Sequence, residues 1–475
     1  MPIPVITVAQ MREWEKRTWA AGQTEAEVIR RVGKALALRA LRLTPPGSLI
    51  LMLSGKGHNG DDAHAAREDL ADRRVELLDV SAPETDLPKL DTALRGRPAL
   101  VVDALFGIGL NRPLDEPWVN FIKRVNQAHV QVLAVDVPSG LNAETGETFG
   151  ASIKASVTLT VGAPKQGLLQ PAAWQFVGRL EVAHDVGLTP CPFRGELNWT
   201  LPEDFAGFPA ARPVAGHKGS FGHLGVLAGS LGYHGAAVLA ARSAQRAQPG
   251  LITLMTDEPA YQAIAAQLQA VMVKPWSPDV NLANDFTALL IGPGLAAPDL
   301  PDEMKLATRK LWRDLLVPVI VDATALDWLP LDPVPRNAIR VLTPHPGEAA
   351  RLLQSTPQRV QANRSHALRE ISKRFGDCWV VLKGHQTLVG RSTGEIFVNS
   401  SGNPHLAQGG SGDVLAGFIA GLLAQPTSQA DTARTLCYAV WQHGAAADRL
   451  QTRRANWIVE DLLPEVGQAR SGDVG

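Results

Sequence analysis

"GGSGDVLAG", residues 409–417, sets three glycines and a serine directly ahead of one aspartate, Asp413, and then turns apolar. The continuation, DVLAGFIAGLLAQ, has helical spacing and predicts a helix with Asp413 in its first turn. Its small residues let a second element approach closely. A helix start offers unpaired N–H groups and partial positive charge, and glycines let the backbone close around phosphate oxygens, so the loop is a ready anion site. Asp413 then has two readings. It is a helix N-cap, or it has a task beside a bound phosphate, where an idle carboxylate would be repelled: taking the proton from a hydroxyl that attacks the phosphoryl group.

Outward from this loop, apolar runs rich in Val, Ile and Leu alternate with helical patterns. The second half of the chain has HLGVLAG, LITLMTD, TALLIGPGL, VPVIVDATAL, AIRVLTPHPGE and CWVVLKG; the first half has SLILML, RVELLDV, ALVVDALFG and VQVLAVDVPSG. Such alternation predicts mostly parallel sheets covered by helices on both faces, an α/β class of two three-layer α/β/α domains. At 475 residues two domains are expected. The proline-dense segment 188–215, without either period, reads as the join, so domains of 1–210 and 211–475 are expected. The halves share no repeated motif.

Balanced charge, 46 basic against 47 acidic residues without long runs of one sign, favours a small-molecule substrate over nucleic acid or an anionic membrane. Cys191, Cys378 and Cys437 lie far apart without CxxC spacing, which suggests a reducing compartment. No apolar run approaches the roughly 20 residues that span a bilayer, and the first residues lack a signal pattern, so a cytoplasmic protein is expected.

Several ordered motifs of the second half, GGSGDVLAG, VVLKGHQTLV (380–389), VLTPHPGEAARLL (341–353), LLIGPGL (289–295) and GSLGYHGAAVLAA (229–241), resemble the ribokinase-like fold. Within it they resemble the ADP-dependent NAD(P)H-hydrate dehydratases, because TPHPGE and the KGHQT strand end fit these better than the sugar kinases. The resemblance implies that Lys383, Gly384, His385, Gln386, Thr387 and Gly412 hold the adenine nucleotide. It also implies that Ala236, Gly294, His345 and Asp413 face the nicotinamide hydrate, with Asp413 as base. The ring hydroxyl would be phosphorylated from ADP and the phosphate then eliminated, restoring NADH or NADPH and releasing AMP and phosphate, with Mg2+ offsetting charge on the phosphates. From the residues themselves, His345 sits between prolines in a turn that presents its ring, and Gly384 beside Lys383 permits close approach of a nucleotide. Thr324 in VDATAL stands where the family usually has a second acidic residue, and no Walker-type GxxxxGK[ST] occurs.

In the first half, LMLSGKGHNGDDAH (51–64) matches GxGxxG at Gly55, Gly57 and Gly60, with Asp79 near the end of the next strand. That is the arrangement of a dinucleotide-binding fingerprint. Against a nicotinamide-dependent dehydrogenase, a long helical stretch precedes the strand, and Asn59, Asp61 and Asp62 at the loop tip would repel a pyrophosphate. Asp103 in VVDALFGIGL and Asp136 and Ser139 in LAVDVPSGLN end neighbouring strands, so Asn59, Asp103 and Ser139 are candidate oxygen ligands of a cation. These motifs resemble the Rossmann-like NAD(P)H-hydrate epimerase domain. By that resemblance Asn59, Asp103 and Ser139 hold a potassium ion, and His58, Asn59, Gly60, Asp61, Asp62, Gly107, Ile108, Gly109, Leu110, Asn111, Arg112, Pro113 and Asp136 contact the hydrate. Asp136 is the acid/base that interconverts the R and S forms.

The loop departs from the usual GxGNNGGDG: His58 replaces Asn, Asp61 and Ala63 replace glycines, and VIRRVG (28–33) stands for a segment like LMENAG. A positive φ at Asp61 would cost about 1 kcal/mol. The expectation is a bifunctional repair enzyme acting on NADHX and NADPHX with ADP, as a homo-oligomer, the family's usual state. Two alternatives stand beside it: a ribokinase-like small-molecule kinase, and a first half that has become a sensing or scaffold module.

Overall fold

In the computed structural model, residues 2–278, 285–331, 334–335 and 337–469 are described. The chain divides into two compact units between Glu196 and Leu197. The boundary expected after residue 210 thus falls earlier, inside the proline-dense segment. Leu197–Trp199 becomes a strand of the second sheet, and Phe205 packs its ring against Tyr438 and Trp441, so these residues belong to the second core.

The first unit begins with a two-residue strand, β1 (Ile3–Pro4), and holds β2 (Leu49–Ser54), β3 (Arg74–Asp79), β4 (Leu100–Ala104), β5 (Val132–Val135), β6 (Val157–Val161) and β7 (Arg179–Ala183). Strands β2 to β7 lie in the order β3-β2-β4-β5-β6-β7, all parallel. Two-residue alternation along β2 makes the layers. Ile50 and Met52 pack with Val28, Val32 and Leu36 of the helix Glu25–Leu43, while Leu51 and Leu53 pack on the other face with Leu90, Phe121 and Ile122. Capping boxes start the first two helices: Thr7 with Gln10 opens Val8–Ala20, and Thr24 with Glu27 opens Glu25–Leu43.

The second unit holds β8 (Leu197–Trp199), β9 (His223–Leu227), β10 (Leu251–Thr256), β11 (Met272–Pro275), β12 (Ala288–Ile291), β13 (Val319–Val321), β14 (Arg340–Leu342), β15 (Trp379–Leu382), β16 (Leu388–Gly390) and β17 (Ile396–Val398). They run β8-β17-β16-β15-β14-β13-β12-β9-β10-β11, parallel except that β16 is antiparallel to both neighbours. On one face the helices His234–Arg246, Ser411–Leu423 and Thr432–Arg453 share a core with Leu224, Val226, Ile320 and Val341. The helix Ser411–Leu423 is buried on nearly every side. A Cβ on Gly417 would stand 2.1 Å from the Ala240 carbonyl oxygen, so only glycine lets these two helices approach this closely. On the other face Arg340 donates to the Trp312 carbonyl at 2.6 Å, tying β14 to the helix Asp302–Asp314.

In both sheets the order reverses once, beside β2 in the first and β9 in the second. Loops leaving the carboxyl ends of strands at such points form crevices for ligands. Among the described residues no helix is long and apolar enough to cross a membrane.

Candidate functional sites

In the second unit the helix Ser411–Leu423 starts after Gly410, whose φ of 93° lies in the left-handed region that glycine tolerates. Asp413 sits in its first turn. Lys383, leaving β15, places its ammonium 2.8 Å from Asp322 Oδ1 and 3.8 Å from Glu348 Oε2. Burial works against that charge, but Asp322, Glu348 and Asp413 outweigh it and hold the lysine pKa above its ordinary value. Burial, then the charges of Asp322 and Glu348, opposed by Lys383, push Asp413 up to about 7. One ammonium therefore stands among three carboxylates, and one of the three is poised to titrate near neutrality.

His345 caps the helix Pro346–Leu353: its Nδ1 accepts from the N–H of Gly347 at 3.0 Å and of Glu348 at 3.4 Å, while Glu348 accepts from the His345 N–H at 2.8 Å. The Nδ1 lone pair is thus used by the cap, and Nε2 remains, 3.5 Å from Glu348 Oε1. Ala236 and Gly294 meet, a Cβ on Gly294 lying 3.1 Å from the Ala236 methyl. Ser230 donates to the Gly294 carbonyl at 2.7 Å and fixes that turn. Gly412 lies over Lys383, a Cβ there falling 3.1 Å from Nζ. The turn Lys383–Thr387 carries a left-handed Gln386, φ 52°, whose side-chain Nε2 is buried without a partner among the described residues. Among the described residues no cluster of three or more His, Cys, Asp or Glu is arranged to hold a metal.

In the first unit a cavity of about 690 Å³ opens at the carboxyl ends of β2, β4 and β5. His58, Asn59, Asp62, the stretch Gly107–Arg112 and Asp136 line it. Gly60, Asp61 and Pro113 do not. Gly60 is packed beneath, where a Cβ would come 2.1 Å from the Gly55 carbonyl oxygen, and Asp61 is exposed on the helix His58–Arg67. Its backbone is helical, so the strain expected of a non-glycine at Asp61 does not arise; Gly57, with φ 122°, takes the left-handed turn instead.

Asp136 itself has φ 64° and accepts from the fully buried Lys165 at 2.5 Å, from Thr160 at 3.1 Å and from the Val161 N–H at 3.2 Å, all on Oδ1. A left-handed aspartate costs about 1–2 kcal/mol, and here it stands at a cavity wall. Burial, then the charge of Asp136, raises the pKa values of Glu15 and Asp62 above the ordinary carboxylate range.

Below the cavity, Asp103 is fully buried. It accepts from the Ser139 N–H at 2.8 Å, the Ser139 hydroxyl at 2.6 Å and the Leu105 N–H at 3.4 Å. Burial pushes it up to about 6 although these hydrogen bonds oppose the shift. Asn59 donates through Nδ2 to the Val135 carbonyl at 2.9 Å, and its Oδ1 stands where a Cβ on Gly107 would come within 2.5 Å. Asp79 is occupied by His64 at 2.8 Å and lies outside the cavity wall, which removes the acidic partner that a dinucleotide fingerprint requires.

Known proteins match both units. The family model described as NAD(P)H-hydrate dehydratase covers residues 224–466, and that described as YjeF-related protein N-terminus covers residues 74–167. A bifunctional NAD(P)H-hydrate repair enzyme of Gloeobacter violaceus is 35% identical over 97% of this chain and 97% of its own. The chain belongs to the bifunctional NAD(P)H-hydrate repair enzymes.

Among solved structures, a ribokinase-like superfamily protein of Enterococcus faecalis is 25% identical with a TM-score of 0.50, covering 58% of this chain and 96% of that one. The ADP/ATP-dependent NAD(P)H-hydrate dehydratase of Bacillus subtilis, co-crystallised with ATP and Mg2+, is 31% identical over 54% of this chain and 92% of that one, with a TM-score of 0.48.

The fold also brings into place several groups that no motif in the sequence singles out. Asp322 and Glu348 flank Lys383, the buried carboxylate of Asp322 lying two residues before Thr324. The strand end of VIVD and the third helical position of HPGE were the available signals. Glu15, Arg12 and Trp19 come from the helix Val8–Ala20 and line the first cavity, and Lys165 pairs with Asp136. Asp103 and Ser139 bond to each other beneath the cavity and are not part of its wall.

Proposed function

We propose that the second unit dehydrates the S form of hydrated NADH and NADPH at the expense of ADP, and that the first unit interconverts the R and S forms. The observation that carries the reading is Asp413, a carboxylate pushed up to about 7 at the head of a glycine-opened helix, with Lys383, Asp322 and Glu348 around it. Near neutral pH such a group accepts a proton efficiently.

Asp413 removes the proton of the ring hydroxyl as that oxygen attacks the terminal phosphorus of ADP. The bond to AMP breaks and AMP leaves; elimination then expels phosphate together with a ring proton and restores the reduced cofactor. Lys383 and the amides of its turn steady the phosphates, and the orphaned Gln386 Nε2 gains an acceptor from the nucleotide. Mg2+, when bound, offsets charge on the phosphates. Asp322 and Glu348 are the carboxylates that would hold it, together with phosphate and water oxygens, which suits the oxygen-rich set this ion prefers.

In the first unit Asp136, held by Lys165, exchanges protons with the leaving and entering hydroxyl, while Glu15 and Asp62 line the same cavity. A potassium ion fits the donor set below. Asp103 is a fully buried carboxylate supported by neutral donors, with no cationic partner among the described residues, and Asn59 Oδ1 faces the cradle left by Gly107. The free thiols Cys191, Cys378 and Cys437 suit a reducing cytosol.

The test is the initial rate with S-NADHX and ADP, followed by absorbance of NADH. Asp413→Asn is expected to lose about 10²–10⁴ in rate while still binding ADP; a variant as fast as the parent removes Asp413 from the base role. A phosphorylated sugar formed from ATP would favour the kinase alternative.

A further inference from the structure

One guanidinium governs the turn that reads the nucleotide. Arg364, the first residue of the helix Arg364–Arg374, is buried, and donates to the Leu382 carbonyl at 3.0 Å, the Lys383 carbonyl at 3.4 Å, the Gln386 carbonyl at 3.3 Å and the His385 carbonyl at still shorter range. Four carbonyls of one five-residue stretch are thus turned toward a single buried cation. In a planar trans peptide the N–H points opposite to the C=O. The amides that follow three of these carbonyls, those of Gly384, Gln386 and Thr387, therefore point away from the guanidinium. The amides of Gly384 and Gln386 have no acceptor among the described residues, the Thr387 amide closes the turn toward the Gly384 carbonyl, and the amide after Leu382 is taken by the Pro344 carbonyl at 2.9 Å. Backbone strain accompanies the arrangement, with Gln386 held at φ 52°. A run of outward amides over a buried positive charge is an anion nest.

We infer that Arg364 is the positioning residue of the nucleotide site: by collecting the carbonyls of Leu382, Lys383, His385 and Gln386 on its inner side, it presents the amides of Gly384 and Gln386 to the phosphates. The inference rests on the proposed placement of ADP at Lys383–Thr387. Arg364 itself acts through the turn. A lysine in its place keeps the charge but loses the planar fork that reaches several carbonyls at once.

The test is calorimetric titration of the full chain with ADP and with adenosine. Arg364→Lys is expected to weaken ADP about tenfold or more, the scale of one charge-assisted hydrogen bond, and to leave adenosine unchanged. In turnover, KM for ADP rises while the pH limb set by Asp413 stays in place. Equal loss for ADP and adenosine, or no loss for ADP, overturns the inference. Lys383→Met separates this from the underlying placement: if it leaves ADP binding intact, the nucleotide is elsewhere; if it abolishes binding while Arg364→Lys does not, only the role of Arg364 falls. Should the arginine variant fail to fold, hydrogen exchange on the parent decides. The amides of Gly384 and Gln386 are expected to exchange freely and to slow on adding ADP but not adenosine, and unaltered exchange contradicts the nest.

Discussion

A carboxylate surrounded by other carboxylates resists ionisation, and Asp413 is in that position, with burial as the larger cause and Asp322 next. In the proposed role as base its ionised form acts, so kcat/KM for S-NADHX should rise with pH up to about 7 and level above it. A profile flat from pH 5 to 9 would disconnect catalysis from this group. Asp103 gives a second pH signature. Burial raises its folded pKa to about 6, so its contribution to stability falls as pH rises from the unfolded value toward 6. A cation beside it lowers that pKa and restores the loss. Potassium should therefore raise the thermal midpoint above pH 6, less so toward pH 4, and not at all in Asp103→Asn; an equal shift in the variant places the ion elsewhere. At this scale the sequence displayed single residues well, since Asp413, Asp136 and Asp103 all end strands or open helices in glycine-rich motifs. It did not display their partners. Lys165, Asp322, Glu348 and Glu15 are ordinary-looking residues whose proximity exists only after the sheets are assembled.

Helix packing holds the glycine-opened start of the helix Ser411–Leu423 in place. The helix Ser411–Leu423 lies against His234–Arg246 so closely that Gly417→Ala would press a methyl onto the Ala240 backbone. The expected cost is about 1–3 kcal/mol, read as a lower unfolding midpoint for the second unit together with slower dehydration, while R/S exchange in the first unit continues. Unchanged stability would mean that the two helices are free to separate. Elements of this kind were legible: the long Val/Ile/Leu runs became β2 to β5, β9, β10 and β12 to β15. The ones left unread are short or interleaved with polar residues. β6 alternates aliphatic residues with Thr, Thr158 and Thr160 being buried and hydrogen-bonded, and β16 and β17 are three-residue strands, β16 pairing with β15 and β17, and β17 with β16 and β8. Residues 197–199 lie in a proline-rich stretch and become a strand only because β17 offers a free edge.

Each unit builds its site from its own residues, around its own sheet and core. The two chemistries are therefore separable by single substitutions, and their coupling lies in the shared substrate: one site consumes the S form that the other replenishes. The measurement that tests this most directly is the yield of NADH from an equal mixture of R- and S-NADHX with excess ADP, Mg2+ and K+, read before spontaneous exchange matters. The parent chain should convert the whole mixture, Asp136→Asn only the S portion, and Asp413→Asn none of it. Full conversion by Asp413→Asn would contradict the account at its centre.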